Sequence, residues 1–160
     1  MKLFLRAGIL LSALAAATAL LAPAGPAAAK APPARAAQVH PVSGLRVIPL
    51  AVRGHVLRVE VAQTEAEQQM GLMFRKEMGA NEGMIFPMNP PRTAAFWMRN
   101  TILPLDIVFV GADRRVLNVV HAVPYDETPL PSAGKAAMVL EINAGRAARL
   151  GIAPGTPLKW

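Results

Sequence analysis

The densest polar cluster in this sequence is Phe96-Trp97-Met98-Arg99-Asn100-Thr101, followed by Pro104-Leu105-Asp106. Two aromatic rings beside a guanidinium, an amide, a hydroxyl and a carboxylate have the make-up of a small-molecule site, an apolar wall carrying a few convergent polar groups. The same residues would also build a tight turn ahead of Pro104, with Asp106 capping that turn or pairing with Arg75. A second acid, Glu141, interrupts the apolar run Met138-Val139-Leu140-Glu141-Ile142. Alternation puts it on the face of Val139, so it either lies in the core and needs a partner, Arg75 or Arg99, or lines a cleft. In a cleft, Asp106 and Glu141 would form an acid/base pair of the kind that cleaves glycosidic bonds.

Methionine offers a different chemistry. Six of the eight methionines fall between Met70 and Met98, and thioethers bind Cu(I), which makes Met84, Met88 and Met98 the candidate metal set. Core packing by a flexible side chain is the competing account of the same residues. Ser132, His121 and Asp126 have the residue types of a hydrolytic triad, but Ser132 lacks a nucleophile-elbow sequence around it. No His pair has metal-ligand spacing and no Gly-rich loop would cradle a phosphate, so no cofactor is implied.

The elements that position these groups are strand-rich. Val56 to Ala62 alternates apolar residues with Arg58 and Glu60, the pattern of a half-buried strand. Thr64 with Glu67 makes a capping box, and Gly71 closes a short helix. Short strands follow over 83–86, 94–98 and 105–110, separated by Pro87, Pro90, Pro91 and Pro104. Gly111-Ala112-Asp113-Arg114 turns the chain into a strand over 115–120, and 138–142 is a further strand. Asn143 would cap a second short helix over 144–150. The expectation is a single α+β domain over 45–160, a curved, mostly antiparallel sheet or partial barrel with two short helices.

Charge placement separates that domain from what precedes it. The chain has 160 residues and a net charge of +7, yet its first acid is Glu60, and from there ten acids meet ten Lys/Arg. A nucleic-acid partner is therefore not expected. Lys2 and Arg6 precede an apolar stretch over 7–21 and the small residues Ala27-Ala28-Ala29, the pattern of a signal peptide over 1–29. As a helix that stretch would reach about 22 Å, short of a hydrocarbon core of about 30 Å. Residues 30–44 read as a Pro/Ala-rich basic linker, and residues 30–58 would attract an anionic surface weakly. There is no cysteine, which excludes a disulfide, a thiolate metal site and a cysteine nucleophile. Export to the periplasm, or secretion after cleavage near Ala29, follows.

Taken together, Gly71-Leu72-Met73 with Arg75, Gly83-Met84-Ile85-Phe86, the block 96–101, Pro104 to Phe109, and Val139 to Gly145 with Gly151 and Gly155 resemble the domain-of-unknown-function 192 family. The resemblance covers about Val56 to the C-terminus and implies a compact β-rich α+β fold, a single domain and export, without a reaction. Its polar positions fall on Arg75, Asn100, Thr101, Asp106 and Glu141. The functional expectation is a non-catalytic periplasmic module that binds a small ligand or partner through Arg75, Phe96, Trp97, Arg99, Asn100, Thr101, Asp106 and Glu141. The alternatives are a glycan-directed hydrolase using Asp106 and Glu141, and Cu(I) binding by methionine.

Overall fold

The computed structural model describes residues 38–160; the signal peptide expected over 1–29 and the first part of the linker lie outside the described residues. The described chain runs β1 (Gln38–Val39), β2 (Arg46–Val52), β3 (His55–Val61), α1 (Glu65–Met70), β4 (Glu82–Arg92), β5 (Ala95–Phe96), β6 (Leu105–Val110), β7 (Val116–Ala122), β8 (Leu130–Pro131), β9 (Ala136–Asn143) and α2 (Arg146–Arg149). Seven strands form one sheet in the order β1-β2-β3-β4-β9-β6-β7, and β5 pairs with β8 in a separate ribbon. Every pair is antiparallel except β3 with β4. The sheet ends on β1 and β7, so it stays open and is not a barrel.

Local chemistry explains several of these elements. The β2–β3 hairpin turns at Arg53-Gly54, both with positive φ, 47° and 82°, as a two-residue turn matched to strand twist requires. In α1, Thr64 Oγ1 accepts from the Glu67 N–H and the Glu67 carboxylate accepts from the Thr64 N–H, so the expected capping box forms. β4 continues through its prolines. Pairing with β9 is regular from Gly83 to Pro87 and irregular between Pro87 and Arg92, so Pro90 and Pro91 occupy positions where no ladder donor is needed. At Gly83 the β9 backbone passes too close for a side chain, and a Cβ there would sit 2.6 Å from the Glu141 carbonyl oxygen.

Two expectations are corrected. Residues 38–44, assigned to the linker, belong to the described fold: β1 pairs with β2, and the Ser43 hydroxyl donates to the Glu60 carboxylate. Asn143 does not cap the second helix. Its amide donates to the carbonyls of Met78 and Gly79, Gly145 takes the N-cap position at φ 72°, and the helix is only the four residues of α2. The N-terminal amide of that helix is satisfied instead by Asp106 from a neighbouring strand: its Oδ2 accepts from the Ala147 N–H at 2.8 Å.

The sheet is covered on both faces. One face carries Leu57, Val59, Ile85, Val108, Leu140 and Ile142, packed with Ala147 and Leu150 of the α2 region and with Ile152 and Leu158. The opposite face carries Met84, Phe86, Ile107, Phe109 and Val139, covered by Leu72, Ala94, Phe96 and Met98. The groups that chemistry would use are therefore sorted by face.

Candidate functional site

Strand register decides which carboxylates meet. Ile107 of β6 stands opposite Glu141 of β9, and Asp106 stands opposite Ile142. Neighbouring residues on a strand point to opposite faces, so Asp106 and Glu141 lie on different sides of the sheet. The acid/base pair expected of them does not exist, and the hydrolase built on it falls. Asp106 is buried, and its two oxygens are occupied by the Ala147 N–H and by His121 Nδ1, at 2.8 and 2.9 Å. It neither caps the turn at 100–104 nor pairs with Arg75, and with His121 engaged there the Ser132–His121–Asp126 triad is excluded too. Ser132 is itself committed, donating to the Gly134 carbonyl and accepting from the Ala94 N–H.

Arg75 also finds a different partner. Both of its terminal nitrogens donate to the Glu60 carboxylate at 3.0 Å, with Glu60 only 2% exposed. His40 Nε2 lies 3.7 Å from the same carboxylate, and the Ser43 hydroxyl donates to it. This is a closed structural network that ties the segments 38–44 and 71–78 to β3, and it takes Arg75 out of the candidate site. Sequence reasoning passed over Glu60 by treating it as the exposed half of an alternation. The signal available was an acid flanked by Val59 and Val61, the same signature that singled out Glu141.

Glu141 remains, and its state differs from every other acid. It is 5% exposed and its carboxyl makes no hydrogen bond or ion pair among the described residues. The expected partners are spent, Arg75 on Glu60 and Arg99 on Glu127. Burial alone pushes the Glu141 carboxyl up to about 8, so it holds its proton at neutral pH. The cross-strand row on its face reads Glu60, Met84, Glu141, Ile107, with thioether and alkyl groups on either side. What the carboxyl does meet is an opening of about 710 Å³, for which it forms part of the lining together with Thr101, Phe86, Phe96 and Trp97.

The 96–101 block forms one wall of that opening. Phe96 stacks edge-on against Phe86, with ring centroids 5.0 Å apart. Trp97 is half exposed, with the Arg99 guanidinium 5.1 Å from its ring centroid while Arg99 also binds Glu127. That exposed ion pair raises the Arg99 value and lowers that of Glu127 through their mutual hydrogen bond. Asn100 is a turn residue. It adopts φ 54°, its carbonyl accepts from the Phe74 N–H, and its amide reaches only the Met73 sulfur at 3.9 Å. Thr101 is buried, with its hydroxyl donating to the Arg99 carbonyl. Of the eight expected binding residues, the structure gathers Phe96, Trp97, Arg99, Thr101 and Glu141 around the opening. Arg75, Asn100 and Asp106 are placed elsewhere, Met88, expected as a copper ligand, lines the opening instead, and Gln68, Gln69, Arg92 and Thr93 are lining residues that the sequence did not single out.

Met84, Met88 and Met98 are buried in the apolar layer on the Glu141 face, where packing accounts for them. A second recess, about 830 Å³ and lined by His40, Val42, Phe74 and Met78, also contains Arg75 and Glu82. Its more buried polar groups are already engaged, Arg75 by Glu60 and Glu82 by the Gly79 N–H, and Lys76 and Glu77, which also line it, are exposed. The opening over Glu141 is the better candidate because the Glu141 carboxyl in its lining is nearly buried and has neither a hydrogen bond nor an ion pair among the described residues.

Comparison with known proteins adds a family and no activity. The family model described as DUF192, uncharacterized ACR, matches residues 48–160. A crystal structure of a protein of unknown function from Novosphingobium aromaticivorans DSM 12444 is 62% identical, with a TM-score of 0.75 over 79% of this chain and 94% of that one. A Sinorhizobium meliloti 1021 chain described as a "putative transcription regulator" is 37% identical, with a TM-score of 0.65 over 69% of this chain and 89% of its own. No curated protein matches.

Proposed function

Because this chain belongs to the DUF192 family, we propose that it is an exported, non-catalytic module that binds a small ligand in the opening over Glu141. One observation carries this reading: a carboxyl that is 5% exposed and has no protein partner among the described residues lines an opening of about 710 Å³. A buried polar group without a partner is costly, and a ligand that supplies the missing partner recovers that cost on binding. Phe96 and Trp97 add apolar contact surface beside it. Nothing in the opening resembles a nucleophile held by a base, which is why a binding role is favoured over catalysis.

Export rests on Lys2, Arg6, the apolar stretch over 7–21 and Ala27-Ala28-Ala29. It predicts a mature N-terminus near Lys30 by intact mass, and a full-length chain confined to the cytoplasm would count against it. Arg46, Arg53 and Arg58 are exposed and, with Lys30 and Arg35, would hold the domain weakly near an anionic membrane or wall polymer. Co-sedimentation with anionic vesicles should then weaken when residues 30–37 are deleted. The role in the name of the Sinorhizobium relative is not adopted, since acids and bases balance from Glu60 onward and nucleic-acid affinity draws on a basic surface.

The binding role is tested by a thermal-shift screen of the full chain against glycan, peptide, lipid and amine fragments, with Trp97→Ala alongside. Fragments that raise the melting temperature of the native protein and not of Trp97→Ala support it. A screen without a single Trp97-dependent shift refutes it.

A further inference from the structure

We propose that the opening over Glu141 takes a small organic cation, with an ammonium head group against the Glu141 carboxylate and its carbon body against Phe86, Phe96 and Trp97. The inference rests on the binding role proposed above and specifies the chemistry of the ligand. A neutral polyol needs several polar partners. Below the rim the lining offers three, the Glu141 carboxyl, a Thr101 hydroxyl that already donates to the Arg99 carbonyl, and the half-buried Gln68, whose amide nitrogen is spent on the carbonyls of Ala62 and Pro87. Such a site fits a ligand with one polar head and an apolar body.

The head group follows from what surrounds the carboxyl. Across the sheet it faces Met84 and Ile107, which supply no charge. The charged groups around the opening are Glu65 at the start of α1, Arg92 at the end of β4 and Arg99 after β5, all exposed, and Arg99 is already bound to Glu127. No protein cation is buried against Glu141, so the counter-ion position is open. Aromatic rings are the other requirement for an ammonium ligand, because ring faces attract cations. Phe86 and Phe96 stand 5.0 Å apart at 79°, and Trp97 is half exposed beside them. Since burial holds the carboxyl protonated at neutral pH, a cation must displace that proton to the buffer. With the carboxyl pushed up to about 8, this lowers affinity about tenfold at pH 7 relative to the fully ionised site.

The test is calorimetry of the full chain with benzylammonium, benzamide and benzoate, which share a ring and differ in head group. Benzylammonium is expected to bind at least tenfold more tightly than the other two. At pH 7 it should release close to one proton, read from buffers of different ionisation enthalpy. Its affinity should rise about tenfold per pH unit from pH 6 towards pH 8 and then level off, a range in which an alkylammonium stays charged. Glu141→Gln should remove both the preference and the proton release; Trp97→Ala, altered at an exposed residue, serves as the folded control and should weaken all three ligands alike. Tighter binding of benzamide or benzoate overturns the cation and leaves the binding role standing. No binding by any of the three, beside fragment hits elsewhere in the thermal screen, has the same meaning. No binding in either experiment overturns both.

Discussion

Replacing Glu141 with Gln keeps the shape of the side chain and removes its titration, and the structure fixes what that should do to stability. In the unfolded chain the carboxyl ionises near 4.5, and in the fold burial pushes it up to about 8. Between those values the native state holds a proton that the unfolded state has lost. Native stability contributed by this group is therefore complete below about pH 4.5, falls as pH rises, and is gone above about 8. The slope is about 1.4 kcal/mol per pH unit, and the whole interval corresponds to roughly 5 kcal/mol, a ceiling because water entering the opening would soften it. The assay is urea unfolding of the native chain and Glu141→Gln at half-unit steps from pH 5 to 9. Near pH 5 the two should agree within about 1 kcal/mol, and by pH 8 the variant should be the more stable by several kcal/mol. Every other titrating group cancels in the difference. A difference that stays flat across this range would refute the reasoning, because it would mean that Glu141 ionises freely or has a cationic partner.

Two further outcomes follow from the closed networks. Glu60→Gln leaves the buried Arg75 guanidinium without its counter-charge and should cost about 3–5 kcal/mol in urea unfolding, whereas the double replacement Glu60→Leu with Arg75→Met should cost much less. Asp106→Ala removes the acceptor for the Ala147 N–H and the partner of His121, and should cost about 2–3 kcal/mol while leaving any fragment binding unchanged; loss of binding with stability intact would return Asp106 to the functional site.

The parts of the fold that were legible are those that local chemistry determines. Thr64, Glu67 and Gly71 specify α1 through contacts within a few residues, and the turn at 111–114 likewise closes on itself, with Gly111 and Arg115 hydrogen-bonded across it. What was hidden depends on partners far along the chain. Arg58 and Glu60 share a face of β3, yet Arg58 is exposed and Glu60 buried, because the segments around Ser43 and Arg75 cover one and not the other. The division between Asp106 and Glu141 is a matter of register between β6 and β9, where a slip of one residue would exchange the faces. Alternation within β9 correctly put Glu141 beside Val139, but it could not say that Arg75 and Arg99 would be engaged elsewhere. Asn143 had the residue type of a cap, and Asp106, from a different strand, does the capping.

The most direct test of the claim that this opening is the ligand site is an amide-perturbation map of the ¹⁵N-labelled protein during titration with benzylammonium and with any fragment hit. Shifts should concentrate at Gly71, Leu72, Ala94, Thr101 and the Trp97 indole, and for the cation should require at least tenfold more ligand in Glu141→Gln. Shifts centred on the His40, Phe74 and Met78 recess or around Asp106 and His121, with the residues of the Glu141 opening unmoved, would contradict it.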